Sequence, residues 1–286
     1  MPVPIQPRRS FIFSPGTDPS MFTKALGSGA DIVCVELEDG VAPHDKDAAR
    51  ENMLGIFAEA QADDGVERIV RVNEIGSSYG QADLEAIYDA KSPPPALMLP
   101  KVNSAAEVRT VSDRLDELGL PVRLQIIIET NHGLEAAYDI AHASDRIDSL
   151  LFGGVDLAAD LRCDYAWEPL LYARSRVVHA AAAAGVDAID VPWLDLKDFD
   201  GLRQEAEASA SLGFTGKGSI HPNQIAIINE IFSPSADEIA HARKIVTAFA
   251  EANTGLVVVD GKLIERPVLR TMERIIAVAE RAEERA

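Results

Sequence analysis

Short apolar runs and longer amphipathic stretches alternate along most of the 286 residues. The runs read SFIF at 10–13, DIVCVELE at 31–38, RIVRVN at 68–73, ALMLPK at 96–101, RLQIIIET at 123–130, SLLFGG at 149–154, DAIDVPW at 187–193 and GKGSIHP at 216–222. Several are apolar over most of their length, the pattern of parallel strands buried on both faces. Between them, DKDAARENMLGIFAEAQA, SAAEVRTVSDRLDELG and AWEPLLYARSRVVHAAAAAG carry apolar residues at helical spacing, and the last two end in Gly, a frequent helix stop. Eight strand–helix units predict an α/β fold, a (β/α)8 TIM barrel, over residues 1–233. A doubly wound open sheet is the alternative if SFIF or GKGSIHP, the two weakest runs, is loop.

Past the eighth run the pattern changes. SPSADEIAHARKIVTAFAEA opens on a Ser-rich cap and continues as a helix, TGLVVVDGKLIE has the form of a hairpin around Asp-Gly, and RPVLRTMERIIAVAERAEERA is an amphipathic helix. Residues 234–286 are therefore expected to form a C-terminal helical extension with a hairpin, packing on a neighbouring subunit.

Charge narrows the partners. The formal net charge is -19, which excludes nucleic acid or an anionic membrane as a bulk electrostatic partner. A polyanionic ligand would need local basic residues. Cys34 lies in an apolar run and Cys163 in a polar loop; neither has a CxxC partner, so no disulfide framework or zinc site is expected. MPVPIQPRRS carries no apolar signal segment and no run is long enough to span a membrane, so a cytoplasmic setting is the simplest expectation.

Barrel chemistry sits where the strands end, and here those ends are polar. They carry Glu36, Glu38 and Asp39, then Arg71 and Asn73, Pro100 and Lys101, Glu129, Gly153, Gly154 and Asp156, Asp190, and Ser219 with His221. Buried charge is costly unless paired or metal-bound, so such a concentration points to a site. Glu129 and Asp156 end consecutive apolar strands. Two carboxylates with waters and substrate oxygens suit Mg²⁺, and ordinary ion pairs or helix caps remain open. Arg71 could grip a carboxylate through a forked pair of hydrogen bonds or serve Glu36 and Glu38 structurally. The Gly153-Gly154-Val155 turn offers backbone N–H groups beside Asp156, or is a plain strand-to-helix turn. His221 reads as a strut, His132 as a loop residue, and Asp39 and Asp45 as helix caps.

The segment RSFIFSPGTDPSMFTKALGSGADIVCVELEDGVAPHDKDAAR resembles the opening of the CitE-like branch of the HpcH/HpaI aldolase/citrate lyase family. RVNEIGS, LPKVNSAAEV, IIETNHGL, FGGVDLAADL, LLYARSRVV, GFTGKGSIHPNQI and INEIFSPSADEIAHARKI continue the likeness in order over nearly the whole chain. The resemblance implies a trimeric or hexameric barrel and Mg²⁺ at Glu129 and Asp156. It implies Arg71 on the 2-keto acid and coenzyme A near Arg9, Ser14, Pro15 and Lys24, with the Gly154 and Val155 backbone a candidate for the substrate carboxylate. It implies a Mg²⁺-dependent lyase joining a 2-keto acid to an acyl-CoA, as with malyl-, citramalyl- or citryl-CoA. Rival outcomes within the family are a malyl-CoA-type thioesterase and a citrate lyase β subunit working on an acyl carrier. A non-catalytic paralogue is the rival from another class.

Two segments depart from the family pattern. Where relatives place an Asp in the C-terminal hairpin, in a pattern like G-x-x-[VI]-D, this chain reads GKLIERP, so Glu265 stands there as the expected acid/base, unless it only caps the last helix. The TNHGL segment after Glu129 also lacks the usual small-residue-then-Arg sequence.

Overall fold

A computed structural model describes residues 6–252 and 255–283. Eight strands follow one another in chain order and close into a parallel barrel. They are β1 (Ser10–Pro15), β2 (Ile32–Glu36), β3 (Glu67–Arg71), β4 (Ala96–Leu99), β5 (Arg123–Ile128), β6 (Ile147–Phe152), β7 (Asp187–Asp190) and β8 (Gly216–Ser219). Both weak runs are strands. β8 pairs with β1 through Ser10 and Lys217, Phe11 and Gly218, and Ile12 and Ser219, which closes the ring and removes the open sheet. Its lack of apolar residues has a steric reason: a Cβ at Gly216 would lie 1.9 Å from the Arg8 carbonyl oxygen. The chain entering β1 passes too close there for a side chain.

Successive strand residues face opposite sides. Phe11, Ile32, Cys34, Ile69, Ala96, Met98, Ile127, Leu151 and Ile189 form one cluster inside the barrel. Their neighbours Val33, Val35, Val70, Leu97, Ile126 and Leu150 are also buried, on the helix side. Burial on both faces is why the strands read as continuous apolar runs rather than alternations. Helices between strands begin at side-chain caps: Ser77 accepts from the Gly80 N–H, Ser104 from Glu107, Thr130 from Gly133 and Asp198 from Gly201. Each such cap is worth about 1 kcal/mol.

The N-terminal end of the barrel is sealed by paired charge. Arg8 donates from Nε to Glu67 at 2.6 Å and from Nη1 to Asp187 at 3.0 Å, and its Nη2 lies 3.3 Å from Asp148. Gln125 donates to the other Glu67 oxygen at 2.7 Å, and Arg123 holds Asp148. Outside the barrel wall, Asp190 accepts from Arg174 Nε at 3.0 Å, Ser209 Oγ at 2.6 Å and Lys217 Nζ at 2.8 Å, and Lys217 also reaches Glu205 at 2.7 Å. This buried group ties β7 and β8 to the helices Trp167–Ala184 and Phe199–Leu212.

The chain divides into two compact units, Arg8–Asn229 and a second from Glu230 onward. The division falls inside the helix Pro222–Ile231, slightly before the break after residue 233 read from the sequence. The second unit holds the helix Ala236–Ala252, strands β9 (Leu256–Val259) and β10 (Lys262–Glu265), and the helix Arg266–Glu283. β9 and β10 pair antiparallel. Asp260 at φ 50° and Gly261 at φ 74° supply the two left-handed residues that a tight hairpin turn requires. Val257, Val259 and Ile264 pack with Ile245 and Phe249, whereas Leu256, Val258 and Leu263 are exposed.

Candidate active site

Alternation along the strands selects the side chains that reach the C-terminal mouth. Ile32 and Cys34 point inward, so Glu36 does; Ile69 does, so Arg71 does; Ile127 does, so Glu129, one residue past β5, does. The Arg71 Nε donates to Glu36 Oε2 at 2.6 Å, and its Nη1 lies 3.3 Å from Glu38 Oε2. The guanidinium stacks over Phe13, with its carbon 4.6 Å from the ring centroid. Lys101 pairs with Glu38 and, at 3.2 Å, with Asp39. Lys46 donates to the carbonyl oxygens of Leu37 and Glu38 at 2.7 and 2.6 Å, which fixes the turn leaving β2.

Glu129 is 3 % exposed and accepts a 2.7 Å hydrogen bond from the Lys101 backbone N–H. Burial, then the charge of Asp156, pushes its carboxyl up to about 8. Asp156 lies in the first turn of the helix Gly154–Leu161, whose N-cap, Gly153, brings no side chain. The absence is required: a Cβ at Gly153 would sit 2.4 Å from Glu129 Cβ and 2.6 Å from its Oε2. Asp160, one turn further along that helix, accepts from the Asn131 N–H at 2.5 Å and ties it to the segment after Glu129.

Asp156 thus acts on Glu129 at the mouth, while the ion pairs of the nearby cations go to other acids, Arg71 to Glu36 and Glu38 and Lys101 to Glu38 and Asp39; the more distant charge of Arg71 offsets the rise at Glu129 only in part. Uncompensated buried carboxylate oxygens are what a hard divalent cation satisfies, and Mg²⁺ takes one or two carboxylates while keeping several waters. Among the described residues no three His, Cys, Asp or Glu side chains are grouped to hold a metal. The donor set is therefore this oxygen pair, which fits Mg²⁺ and not a soft metal.

Residues 9–222 match the HpcH/HpaI aldolase/citrate lyase family. The chain is 32% identical to the mitochondrial citramalyl-CoA lyase of Rattus norvegicus over 96% of its own length and 86% of that protein's. It is 33% identical to the L-malyl-CoA/beta-methylmalyl-CoA lyase of Cereibacter sphaeroides, over 98% and 96%. Among solved structures it is similar to CitE from Mycobacterium tuberculosis in complex with magnesium, acetoacetate and coenzyme A. There the identity is 31%, the coverage 95% and 97%, and the TM-score 0.77. The chain belongs to the HpcH/HpaI aldolase/citrate lyase family.

Within this family member, Arg71, Glu129 and Asp156 come together at one end of the barrel, joined by Glu36, Glu38, Asp39 and Lys101. Gly154 and Val155 occupy the first turn of the Asp156 helix, so its positive end faces the same mouth. Other polar strand ends go elsewhere. Asp190 follows inward-facing Ile189 and so turns outward into the Arg174–Lys217 group. Asn73 is bound to Asp83 through both its backbone N–H and its side chain. Ser219 and His221 bond each other's turn, and His221 Nδ1 accepts from the Asn223 N–H, a strut.

Arg9 lies at the opposite end of β1, where its backbone N–H, Nε and Nη2 all bond Asp31. Ser14 is buried on the helix-facing side of β1, Pro15 ends that strand, and Lys24 is exposed in the last turn of the helix Pro19–Leu26. His132 is not in a loop but in the short helix Asn131–Glu135. Asp39 is no helix cap, since it pairs with Lys101; Asp45 occupies a cap position without a capping hydrogen bond. Glu265 ends β10 in the second unit, exposed. Lys46 escaped the sequence reading. Its only signal was a lysine at the start of a helix following an acidic strand end.

Proposed function

We propose that this chain is a Mg²⁺-dependent carbon–carbon lyase. It would interconvert a 3-hydroxyacyl-CoA bearing a carboxylate on its hydroxyl carbon, such as malyl-, citramalyl- or citryl-CoA, with an acyl-CoA and a 2-keto acid. The observation that carries the reading is the Glu129 carboxyl, raised by burial and then by Asp156, and hydrogen-bonded among the described residues to the Lys101 backbone N–H rather than to a cationic side chain. Glu129 and Asp156 would hold Mg²⁺, which would supply Lewis-acid stabilisation of negative charge on the keto-acid oxygen. Arg71 has N–H groups beyond those given to Glu36 and Glu38, and these hold the keto-acid carboxylate and share its charge. The Gly154 and Val155 backbone faces the same carboxylate from the helix start.

In cleavage the substrate hydroxyl loses its proton as the carbon–carbon bond breaks, and the acyl fragment takes a proton at its α-carbon. Glu265 is assigned to that second transfer, acting from the C-terminal unit of a neighbouring subunit. Support for assembly comes from the hairpin's outer face, where Leu256, Val258 and Leu263 leave an exposed apolar patch. A homotrimer or hexamer is proposed, to be checked by light scattering. Lys24, exposed on the helix after β1, is proposed for coenzyme A contact with Pro15; the buried side chain of Ser14 is out of reach. A cytoplasmic setting is proposed from the acidic charge, and no described helix is long and apolar enough to cross a membrane.

The test is incubation with malyl-, citramalyl- and citryl-CoA and Mg²⁺, following keto acid and free thiol separately. Keto acid with intact acyl-CoA supports the lyase. Free CoA thiol in step with turnover supports the thioesterase instead. Full activity of Glu129→Ala in EDTA sinks the metal reading.

A further inference from the structure

We infer that Lys101 is a positioning residue of this site, one that sets Glu129 through its backbone and the Glu38–Asp39 turn through its ammonium. The inference rests on the reading of Glu129 and Asp156 as the Mg²⁺ pair. Lys101 follows β4 and holds φ 54°, a left-handed conformation that residues with a Cβ rarely adopt. Such outliers persist where surrounding structure over-determines them, and they cluster at functional sites. Here the surroundings are visible. The Lys101 N–H donates to Glu129 Oε1 at 2.7 Å, and its carbonyl accepts from Asn103 Nδ2 at 2.8 Å. Asn103 Oδ1 in turn accepts from Thr130 Oγ1 at 2.7 Å, so the loop after β4 and the segment after β5 are bonded twice.

The left-handed turn has two simultaneous effects. It points the N–H of Lys101 at β5, and it sends the side chain across the mouth toward β2. There the ammonium meets Glu38 and lies 3.2 Å from Asp39, and Glu38 also touches Arg71. One residue therefore links the carboxylate that would receive the ion, the arginine's partner and the acidic turn. Opposite, the Cα of Gly153 packs against Glu129 so closely that no side chain fits between them. Glu129 is confined on both flanks, by the Lys101 amide at Oε1 and by Gly153 near Oε2. A lysine recruited only for charge balance would need neither the strained backbone nor the amide bond.

Three variants test the ammonium while the backbone amide to Glu129 is kept. Lys101→Met keeps the backbone amide and removes the charge. Lys101→Arg restores a cation. Lys101→Gly relaxes the left-handed turn without a side chain. Each is assayed for Mg²⁺ affinity by calorimetry on metal-free protein, for thermal melting, and for kcat and KM with malyl-CoA. For Lys101→Met the expected loss is about 100-fold in kcat, with Mg²⁺ affinity and KM within roughly threefold and melting unchanged. Lys101→Arg is expected to recover roughly tenfold of that loss, and Lys101→Gly to behave as Lys101→Met in kcat. Retained kcat in Lys101→Met overturns the inference. So does joint loss of melting temperature, Mg²⁺ affinity and kcat, which would mark a simple strut. Glu129→Gln is run alongside. If it still binds Mg²⁺ normally, the metal reading itself has failed, whatever Lys101 does.

Discussion

The barrel's two ends are built from the same residue types and treat charge in opposite ways. At the N-terminal end Arg8 enters among Glu67, Asp148 and Asp187, Arg123 shares Asp148, and Gln125 occupies the remaining Glu67 oxygen. Each carboxylate has a cationic partner. At the C-terminal end Arg71 and Lys101 pair with Glu36, Glu38 and Asp39, and Glu129, beside Asp156, has among the described residues a hydrogen bond from a backbone N–H alone. Charge matched within the fold holds strands together. A carboxyl that the fold leaves unmatched keeps its proton instead, until a cation arrives to replace it. The barrel can carry such an excess at its mouth because the paired end and the apolar interior supply its stability.

Substitutions at the two ends should therefore fail in different ways. The largest effect is expected from Glu129→Gln, a loss of about 10³-fold or more in Mg²⁺-dependent turnover, with a melting temperature equal to or above that of the parent. A cooperative loss of stability in that variant would make the mouth as structural as the base. Next, Arg8→Met removes the common partner of Glu67 and Asp187 and should cost about 3–5 kcal/mol in urea unfolding. The kcat of its folded fraction should stay close to normal; a selective fall in kcat would link the base to catalysis.

Gly153→Ala should come third. Its Cβ would sit 2.4 Å from Glu129 Cβ, so the carboxylate must shift. We expect turnover to drop about 10²-fold together with Mg²⁺ affinity, measured by titration. Unaltered affinity would mean that the backbone yields and the carboxylate does not.

The smallest effect is a pH slope. Burial and Asp156 raise Glu129 from an ordinary 4.5 to about 8, so between those values the folded, metal-free protein holds a proton that the unfolded chain releases. Its stability should fall as pH rises through that window, and Glu129→Gln should flatten the slope. Identical slopes in parent and variant, by urea titration at pH 6 and 8, would indicate that Glu129 is already paired.

Much of this was legible in the residues, for identifiable reasons. Strands buried on both faces leave continuous apolar runs, so β2 and β5 announce themselves. β8, GKGS, has no such run and is legible only because it completes the repeat; Gly216 reflects close approach of the chain entering β1 and Gly218 close approach of Pro192 after β7. Glu129 and Asp190 carried the same signal, an acid closing an apolar strand. Counting separates them: Glu129 stands two residues after inward Ile127, Asp190 one after inward Ile189. The roles of Lys46 and Lys101 were hidden for another reason. Lys46 reaches the turn after β2 only through the folding of an intervening loop, and a left-handed φ at a lysine leaves no trace in a string of letters.

Arg71 carries one more consequence. Stacked on Phe13 and bonded to Glu36 and Glu38, it has lost its rotamer freedom before any ligand approaches. A flexible arginine surrenders that freedom when it captures a carboxylate, and the surrender weakens the capture. At this mouth the loss was incurred when the chain folded, so a keto acid meets a rigid fork and its binding free energy carries little ordering penalty there.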